Sequence, residues 1–183
     1  MKIIWKIIFW KMRFFKDKMK DWFLEEYDPQ SRFDNLEKFE PEFWKNKKPE
    51  DLSKDEWELI CDGCGKCCLN KIDIRGKVCF TNARCRFLDE KTCLCRIYEH
   101  RFEKVDDCRD IDLQTVLSEP EILPKTCAYR LLVEGKDLPN WHPLITKKAS
   151  SVHEAGQSLR GRKLISETEV RDYENHIVDW QDL

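Results

Sequence analysis

The sequence has few of the residues that mark fibrous or low-complexity chains, since only 6 of its 183 residues are glycine and 7 are proline. This scarcity excludes collagen-like and Gly/Ser-rich chains. Long apolar runs are also missing, and 37% of the residues are charged at a mean hydropathy of -0.67, which excludes a protein with several membrane spans. The 7 tryptophans and 10 phenylalanines favour a folded core over general disorder.

Common catalytic motifs are absent from the sequence as well. It contains no glycine-rich phosphate loop, no nucleophile elbow and no HExxH helix. The four histidines do not alternate with cysteines at the spacing of a Cys2His2 finger: His100, His142, His153 and His176. The best pocket candidate is LPNWHPLIT, where Trp141 and His142 lie between two prolines and could line a site. The competing interpretation makes Trp141 a core residue and His142 its hydrogen-bonded neighbour.

Cysteine is the residue that the chain has in excess, and all ten cysteines lie between Cys61 and Cys127. A secreted disulfide-rich fold would spread its cysteines along the chain behind a signal peptide, and the charged start MKIIWKIIFWKMRFF does not resemble one. We therefore expect a cytoplasmic protein in a reducing compartment. Clustered cysteines there bind metal or carry out redox chemistry.

The densest part of the cluster is CDGCGKCC, in which two-residue spacers separate Cys61, Cys64 and Cys67, and Cys68 follows directly. Such spacers let successive sulfurs turn towards one ion or cluster, and the intervening glycines allow the tight backbone that this needs. Ferredoxins use the same spacing for three ligands of an iron–sulfur cluster. Zinc and iron–sulfur clusters both suit an all-sulfur donor set, so the spacing predicts thiolate ligation without choosing the metal.

Taken together, the cysteine motifs resemble a known family. CDGCGKCC, CRFLDEKTC, CRIYEHR and the pair Cys108-Arg109 are similar to the YkgJ-type cysteine-cluster family, whose domains are described as zinc- or iron-chelating. FWKNK, FTNARC, TCAYRLLVEGKDLPNWHPL and HIVDWQD resemble its YcgN-like branch, so the likeness covers about residues 42 to 182. Phe102 stands where the wider family has proline.

The resemblance implies nine metal ligands and leaves one cysteine over. The implied ligands are Cys61, Cys64, Cys67, Cys68, Cys85, Cys93, Cys95, Cys108 and Cys127. Cys79 has no counterpart in the family, and we expect it to be a small buried apolar residue. Nine thiols allow one four-ligand site, two such sites or shared thiolates, and this choice stays open.

We therefore expect an intracellular metal-binding protein that holds an iron–sulfur cluster or zinc and acts through a partner protein. The alternative is an iron–sulfur redox or electron-transfer protein, or an accessory enzyme, that uses the cluster or a free cysteine. Thiolates on a metal leave excess negative charge. Six basic residues near the cysteines are candidates to offset it: Lys66, Lys71, Arg84, Arg86, Arg96 and Arg101.

Residues 1 to 24 are predicted to be a basic amphipathic arm. Residues 1 to 20 have a net charge of +6, whereas residues 21 to 183 have a net charge of -8. Trp, Phe and Ile side chains cover the apolar face of the arm, which predicts peripheral contact with an anionic membrane. The alternatives are packing on the acidic body or a translation start further along the chain. Nucleic acid is not an expected partner, because the acidic body would repel phosphate.

For the fold, we predict an α-rich or small α+β domain of short helices around an irregular, cysteine-rich, metal-stapled centre. Residues 25 to 41 read as a linker, which leaves residues 42 to 183 as the metal-binding domain. Ser53 with Glu56, and Ser166 with Glu169, have the spacing of a capping box. Helices are expected near residues 53 to 60, 95 to 104, 126 to 134 and 167 to 180, and a strand at VCFTN.

Overall fold

The computed structural model describes residues 28 to 180 and residue 183, so the basic arm of residues 1 to 24 lies outside it. The α-helices of this part are short: α1 (Phe43–Asn46), α2 (Lys54–Ile60), α3 (Arg101–Lys104), α4 (Leu113–Ser118), α5 (Ala128–Val133), α6 (Pro143–Thr146) and α7 (Ser151–Glu154). Short 3-10 helices occupy Pro29–Phe33, Leu36–Lys38, Pro49–Asp51, Lys66–Cys68, Tyr98–His100, Pro120–Ile122, Glu167–Glu169 and Tyr173–His176. Among the helices described, none has the length and apolar character needed to span a bilayer.

Three strands form one small mixed sheet in the order β1 (Leu69–Ile74), β2 (Lys77–Arg84) and β3 (Ile165–Ser166). β1 and β2 are an antiparallel hairpin, and β3 pairs in parallel with the end of β2. The hairpin turns at Arg75 and Gly76, whose φ angles of 56° and 82° are those that a tight two-residue turn needs. The strand predicted at VCFTN is confirmed within β2, and the sheet with its short helices confirms a small α+β fold.

Helix α2 begins where the capping-box spacing predicts. The Ser53 hydroxyl accepts a hydrogen bond from the Glu56 N–H at 3.2 Å, and the Glu56 carboxylate accepts one from the Ser53 N–H at 2.9 Å. These bonds satisfy backbone donors that the first turn of a helix leaves without partners. The helix buries Leu59 and Ile60 and ends at Cys61, so it leads the chain directly into the cysteine cluster.

Two hydrophobic clusters form the interior of the described chain. The larger cluster lies among the helices, and its members include Phe33, Phe43, Trp44, Ile60, Leu123 and Leu144. The smaller cluster lies beside the sheet and contains Leu69, Phe80, Leu88, Cys93 and Leu159. Cys61 packs against the larger cluster and Cys68 against the smaller one. The motif CDGCGKCC therefore runs from one cluster to the other.

The prediction of an amphipathic helix over residues 167 to 180 is wrong. This segment instead holds two short 3-10 helices, Glu167–Glu169 and Tyr173–His176. Ser166 lies in β3 and makes no capping bond, and Ile177 forms a bridge with Thr81 on β2. Backbone groups along a strand must find hydrogen-bond partners, and this segment supplies them, so pairing with the sheet prevails over the helical spacing.

The two remaining helix predictions have different outcomes. The helix expected over residues 126 to 134 is confirmed as α5. The helix expected over residues 95 to 104 is confirmed only in its second half, where the 3-10 helix Tyr98–His100 leads into α3. Its first residue, Cys95, pairs with Leu88 in an antiparallel bridge, which excludes a helical start there.

The capping bonds of α2 predict a difference between two serines that have the same sequence spacing. Ser53→Ala should lower the free energy of unfolding by about 1 kcal/mol, because it removes a hydrogen bond to a helix N-terminus. Ser166→Ala is the matched control and should cost less than about 0.5 kcal/mol, since surface changes without such a bond have small effects. Urea denaturation of both variants measures this difference. Equal losses would contradict the assignment of the cap to Ser53.

Candidate metal centre

The motif CDGCGKCC folds as a loop that follows α2 and ends in a 3-10 helix. Gly63 and Gly65 both have left-handed backbone angles, with φ of 76° and 78°. At Gly65 an added Cβ would lie 3.0 Å from the Cβ and from the carbonyl oxygen of Cys93, so the backbones approach too closely for a side chain. The buried Asp62 carboxylate accepts a hydrogen bond from the Cys64 N–H at 3.0 Å. These features turn the loop tightly enough to bring its thiols together.

Four cysteines line one small cavity, of about 30 Å³, at this loop: Cys61, Cys64, Cys67 and Cys127. Three of them belong to the motif, and Cys127 directly precedes α5. Leu123, Pro124 and Tyr129 contribute apolar walls. A cavity of this volume has room for about two water-sized groups. The fold thus places cysteines from distant parts of the sequence around one cavity.

Burial keeps most of these thiols in their protonated form. It raises the pKa of the Cys61 thiol to about 11, and it also raises the pKa values of Cys64 and Cys127. The nearby Asp62 carboxylate raises all three further. Cys67 differs, because a hydrogen bond with the Cys68 thiol lowers its pKa to about 7. A bound cation would shift every one of these thiols towards the thiolate.

Basic side chains lie beside three of the four thiols, and each lowers the pKa of its neighbour. The pairs are Arg32 with Cys61, Lys66 with Cys64, and Lys71 with Cys67. Hydrogen bonds hold these cations in place. The fully buried Lys66 donates to the Thr126 hydroxyl at 3.1 Å, and Lys71 donates to the Cys67 carbonyl at 2.9 Å. Arg32 donates to the Cys61 carbonyl at 3.2 Å. Three cations therefore lie near the cavity and oppose the effect of the Asp62 carboxylate.

The sequence identified some of these cations and missed one. Four of the six predicted basic residues lie beside cysteine thiols: Lys66, Lys71, Arg86 and Arg101. Arg84 and Arg96 pair with nearby carboxylates, at 2.6 Å and 3.2 Å, and Arg86 and Arg101 also pair with carboxylates, those of Glu167 and Asp110. Arg32 was missed because it lies 29 residues before Cys61, in the segment predicted as a linker. No local spacing signals this contact, which only the fold creates.

Four further cysteines meet next to the loop: Cys68, Cys85, Cys95 and Cys108. The hairpin joins the first two, since the Cys85 N–H donates to the Cys68 carbonyl at 2.9 Å. Cys95 reaches them through its bridge with Leu88, whose N–H donates to the Cys85 carbonyl at 3.1 Å. Cys108 follows α3, and burial together with the Cys95, Cys67 and Cys85 thiols raises its pKa.

The two remaining cysteines are Cys93, which lies against Gly65 of the loop, and Cys79. Cys93 is buried in the smaller hydrophobic cluster, where its thiol is hydrogen-bonded to Ser158. Cys79 lies on β2 and is only half-buried, so the expectation of a fully buried residue is wrong. Of the nine ligands implied by the sequence, four line the cavity and the other five do not.

The fit of these residues to a metal depends on their chemistry. As they stand, no three Cys, His, Asp or Glu side chains within residues 28 to 180 and 183 are placed to hold a metal ion, and all ten thiols are free. By its chemistry the donor set still suits a soft metal, because four of the residues that line the cavity are cysteines. The backbone N–H groups of Gly63 and Arg130 lower the pKa values of the Cys61 and Cys127 thiols beside them. Such N–H groups orient thiolate ligands.

His142, which the sequence suggested as a residue that could line a pocket, has a structural role. It is fully buried, its Nδ1 accepts a hydrogen bond from the Leu144 N–H at 3.1 Å, and its Nε2 lies 2.8 Å from the Ile60 carbonyl oxygen. Because Nδ1 accepts, Nε2 carries the proton and donates to that carbonyl. The interpretation of His142 as a hydrogen-bonded structural residue is confirmed. It links the start of α6 to the end of α2, just before Cys61.

Known proteins resemble this chain over most of its length. A UPF0260 protein of Shewanella amazonensis is 49% identical over 141 residues, which are 76% of this chain and 95% of that protein. This chain belongs to the UPF0260 family. UPF0260 proteins of Rhizorhabdus wittichii (48% identical, 76% of this chain and 95% of that protein) and Vibrio vulnificus (44%, 75% and 94%) agree. No family model and no solved structure matches the chain.

The UPF0260 name corrects the family that the cysteine motifs suggested. The relatives compared carry this name, and none of them is called YkgJ-type or YcgN-like. The motif-based assignment was therefore wrong. Short cysteine strings reflect the demands of packing thiols in a tight loop, whereas identity over 141 residues reflects the whole UPF0260 chain.

The buried His142 predicts a pH dependence of stability in this UPF0260 protein. Burial lowers its pKa below the ordinary value of 6.5, so the unfolded chain binds a proton that the folded chain lacks once the pH falls through about 6.5. Its contribution to stability is therefore present above that pH and is lost below it. His142→Asn keeps an acceptor for the Leu144 N–H and removes the titrating group.

Urea denaturation at about pH 7.5 and about pH 5.5 measures this effect. The wild type should lose more free energy of unfolding between these values than His142→Asn does. The difference between the two proteins cancels contributions from the thiols and from His153, whose pKa burial also lowers. Parallel losses in both proteins would contradict a neutral, buried His142.

Proposed function

We propose that this UPF0260 protein binds a soft metal, as zinc or as an iron–sulfur cluster, through clustered cysteine thiolates. The observation that carries the proposal is the cavity lined by Cys61, Cys64, Cys67 and Cys127. A structural zinc ion takes four such ligands, and a cubane iron–sulfur cluster takes four as well.

The surroundings of the cavity favour metal ligation over inert burial of thiols. Four thiolates on Zn²⁺ leave a net charge of about −2, which needs cations and hydrogen-bond donors close to the sulfurs. Arg32, Lys66 and Lys71 supply the cations, and the backbone N–H groups of Gly63 and Arg130 supply donors. Purely hydrophobic packing of neutral thiols would require neither.

A metal held here would supply a cross-link between the loop after α2 and the start of α5. Both elements pack into the larger hydrophobic cluster, Ile60 from one side and Ala128 from the other. Structural zinc contributes on the order of 10 kcal/mol to the folding of small sites. The chain's own residues would bind it by releasing thiol protons. Because burial raises the pKa values of Cys61, Cys64 and Cys127, the affinity for metal should fall as the pH falls.

Metal analysis of the full-length protein, purified without oxygen, tests the proposal. Zinc binding should give colourless protein with stoichiometric zinc. An iron–sulfur cluster should give brown protein with iron and acid-labile sulfide, and an absorbance near ~400 nm that dithionite bleaches. Protein that holds neither metal, and whose thermal midpoint does not rise when Zn²⁺ is added to the reduced chain, would overturn the proposal.

A pair of cysteine variants tests the location of the site. Cys127→Ser should lower the bound metal and the thermal midpoint, because it removes one of the four sulfurs at the cavity. Cys79→Ser is the matched control, since Cys79 lies on β2 and does not line the cavity. It should retain the wild-type metal content. Inductively coupled plasma mass spectrometry and differential scanning calorimetry measure the two effects, and equal metal loss from both variants would contradict this location.

A further inference from the structure

β1 is an edge strand of the small sheet. Within residues 28 to 180, β1 pairs with β2 on one side, and neither β3 nor an isolated bridge adds a strand on the other side, which is called the outer edge below. Such an edge presents backbone N–H and C=O groups that can pair with another chain. The strand LNKIDI contains no proline, and its bulge lies between Leu69 and Lys71, before the regular part of the strand.

The hairpin geometry identifies which backbone groups of β1 face the outer edge. Ile74 and Lys77 flank the two-residue turn, so they form a hydrogen-bonded pair. Hydrogen-bonded and non-hydrogen-bonded pairs alternate along an antiparallel ladder, so Ile72 also bonds to β2, whereas Lys71 and Asp73 do not. The N–H and C=O groups of Lys71 and Asp73 therefore point outwards.

The sequence of β1 is complementary to a second copy of itself. When two β1 strands pair antiparallel around Ile72, Lys71 lies opposite Asp73 of the partner subunit, and the outward backbone groups of both residues face one another. Opposite charges then lie across from each other on one face, and the two Ile72 side chains lie side by side on the other face. Ile72 is half-buried in the single chain, so this pairing removes apolar surface from water.

The side chains of Lys71 and Asp73 leave the backbone between them open. The Lys71 ammonium turns towards the start of β1 and donates to the Cys67 and Leu69 carbonyls at 2.9 Å and 2.7 Å. The Asp73 carboxylate turns towards the hairpin turn and accepts a hydrogen bond from the Gly76 N–H at 2.9 Å. Because the two paired strands run in opposite directions, these displacements match. Each ammonium therefore stays level with a carboxylate of the other copy.

We propose that the protein forms a two-fold symmetric dimer in which the β1 strands of two copies pair antiparallel and join the two sheets into one of six strands. The contact uses the same surface of both copies, so it closes at two subunits and does not propagate into a fibre. Few residues are paired, which makes the interface small and the dimer dependent on protein concentration. This assembly is separate from metal binding, since no residue of β1 lines the cysteine cavity.

Sedimentation velocity of the full-length protein over a range of concentrations tests the dimer. The molar mass of the wild type should rise from 22.1 kDa towards twice that value as the concentration increases. Ile72→Lys should stay a monomer where the wild type is dimeric, because it places two like charges directly opposite each other. Ile74→Lys is the matched control on the same face of β1. It should keep most of the dimer, since residue 74 lies opposite Asn70 of the partner subunit.

Hydrogen exchange followed by NMR identifies the paired surface in the wild type, so the test does not depend on the folding of a variant. The Lys71 and Asp73 amides should exchange faster than the Ile72 amide in dilute protein, and their exchange should slow by about tenfold or more in concentrated protein. A wild type that stays monomeric at every concentration overturns the proposal. A dimer in which these two amides still exchange fast, or which persists in Ile72→Lys, overturns the pairing of β1. Equal loss of the dimer from both lysine variants overturns the register around Ile72.

Discussion

The burial of thiols between two small hydrophobic clusters is the constraint on which the rest of this structure depends. The loop CDGCGKCC leaves the larger cluster at Cys61 and enters the smaller one at Cys68. Left-handed glycines at positions 63 and 65 make this passage tight, and the Cys93 backbone closes over Gly65. Because the loop runs from one cluster to the other, it connects the helical part of the chain to the sheet.

That burial determines how readily the thiols ionise. Thiols removed from water resist ionisation, and the buried Asp62 carboxylate adds to the cost. Arg32, Lys66 and Lys71 act in the opposite direction, and they come from three separate parts of the chain. The cavity cysteines suit a soft cation, and Arg32, Lys66 and Lys71 would offset the negative charge of their thiolates, which is the physical basis of the proposed function.

Local signals predicted local structure well and failed where the sheet intervened. Ser53 and Ser166 have the same spacing to a glutamate, yet only Ser53 caps a helix. Tertiary structure explains this difference. Ser166 is part of β3 and pairs with β2, whereas the residues that follow Ser53 form α2. Likewise, the sequence allowed His142 to line a pocket, but in the fold its ring is hydrogen-bonded to the Ile60 carbonyl and has a structural role.

The sequence by itself determined the cysteine cluster, the tight loop that holds its densest part, the start of α2 and the strand at VCFTN, because each depends on residues close together in the chain. Only the tertiary structure decided that Cys127 joins the loop, that Cys93 packs against Gly65 and that Arg32 lies beside Cys61. Those relations depend on packing between distant segments. Spacing along a chain carries no record of such contacts, since they form only when the hydrophobic clusters do.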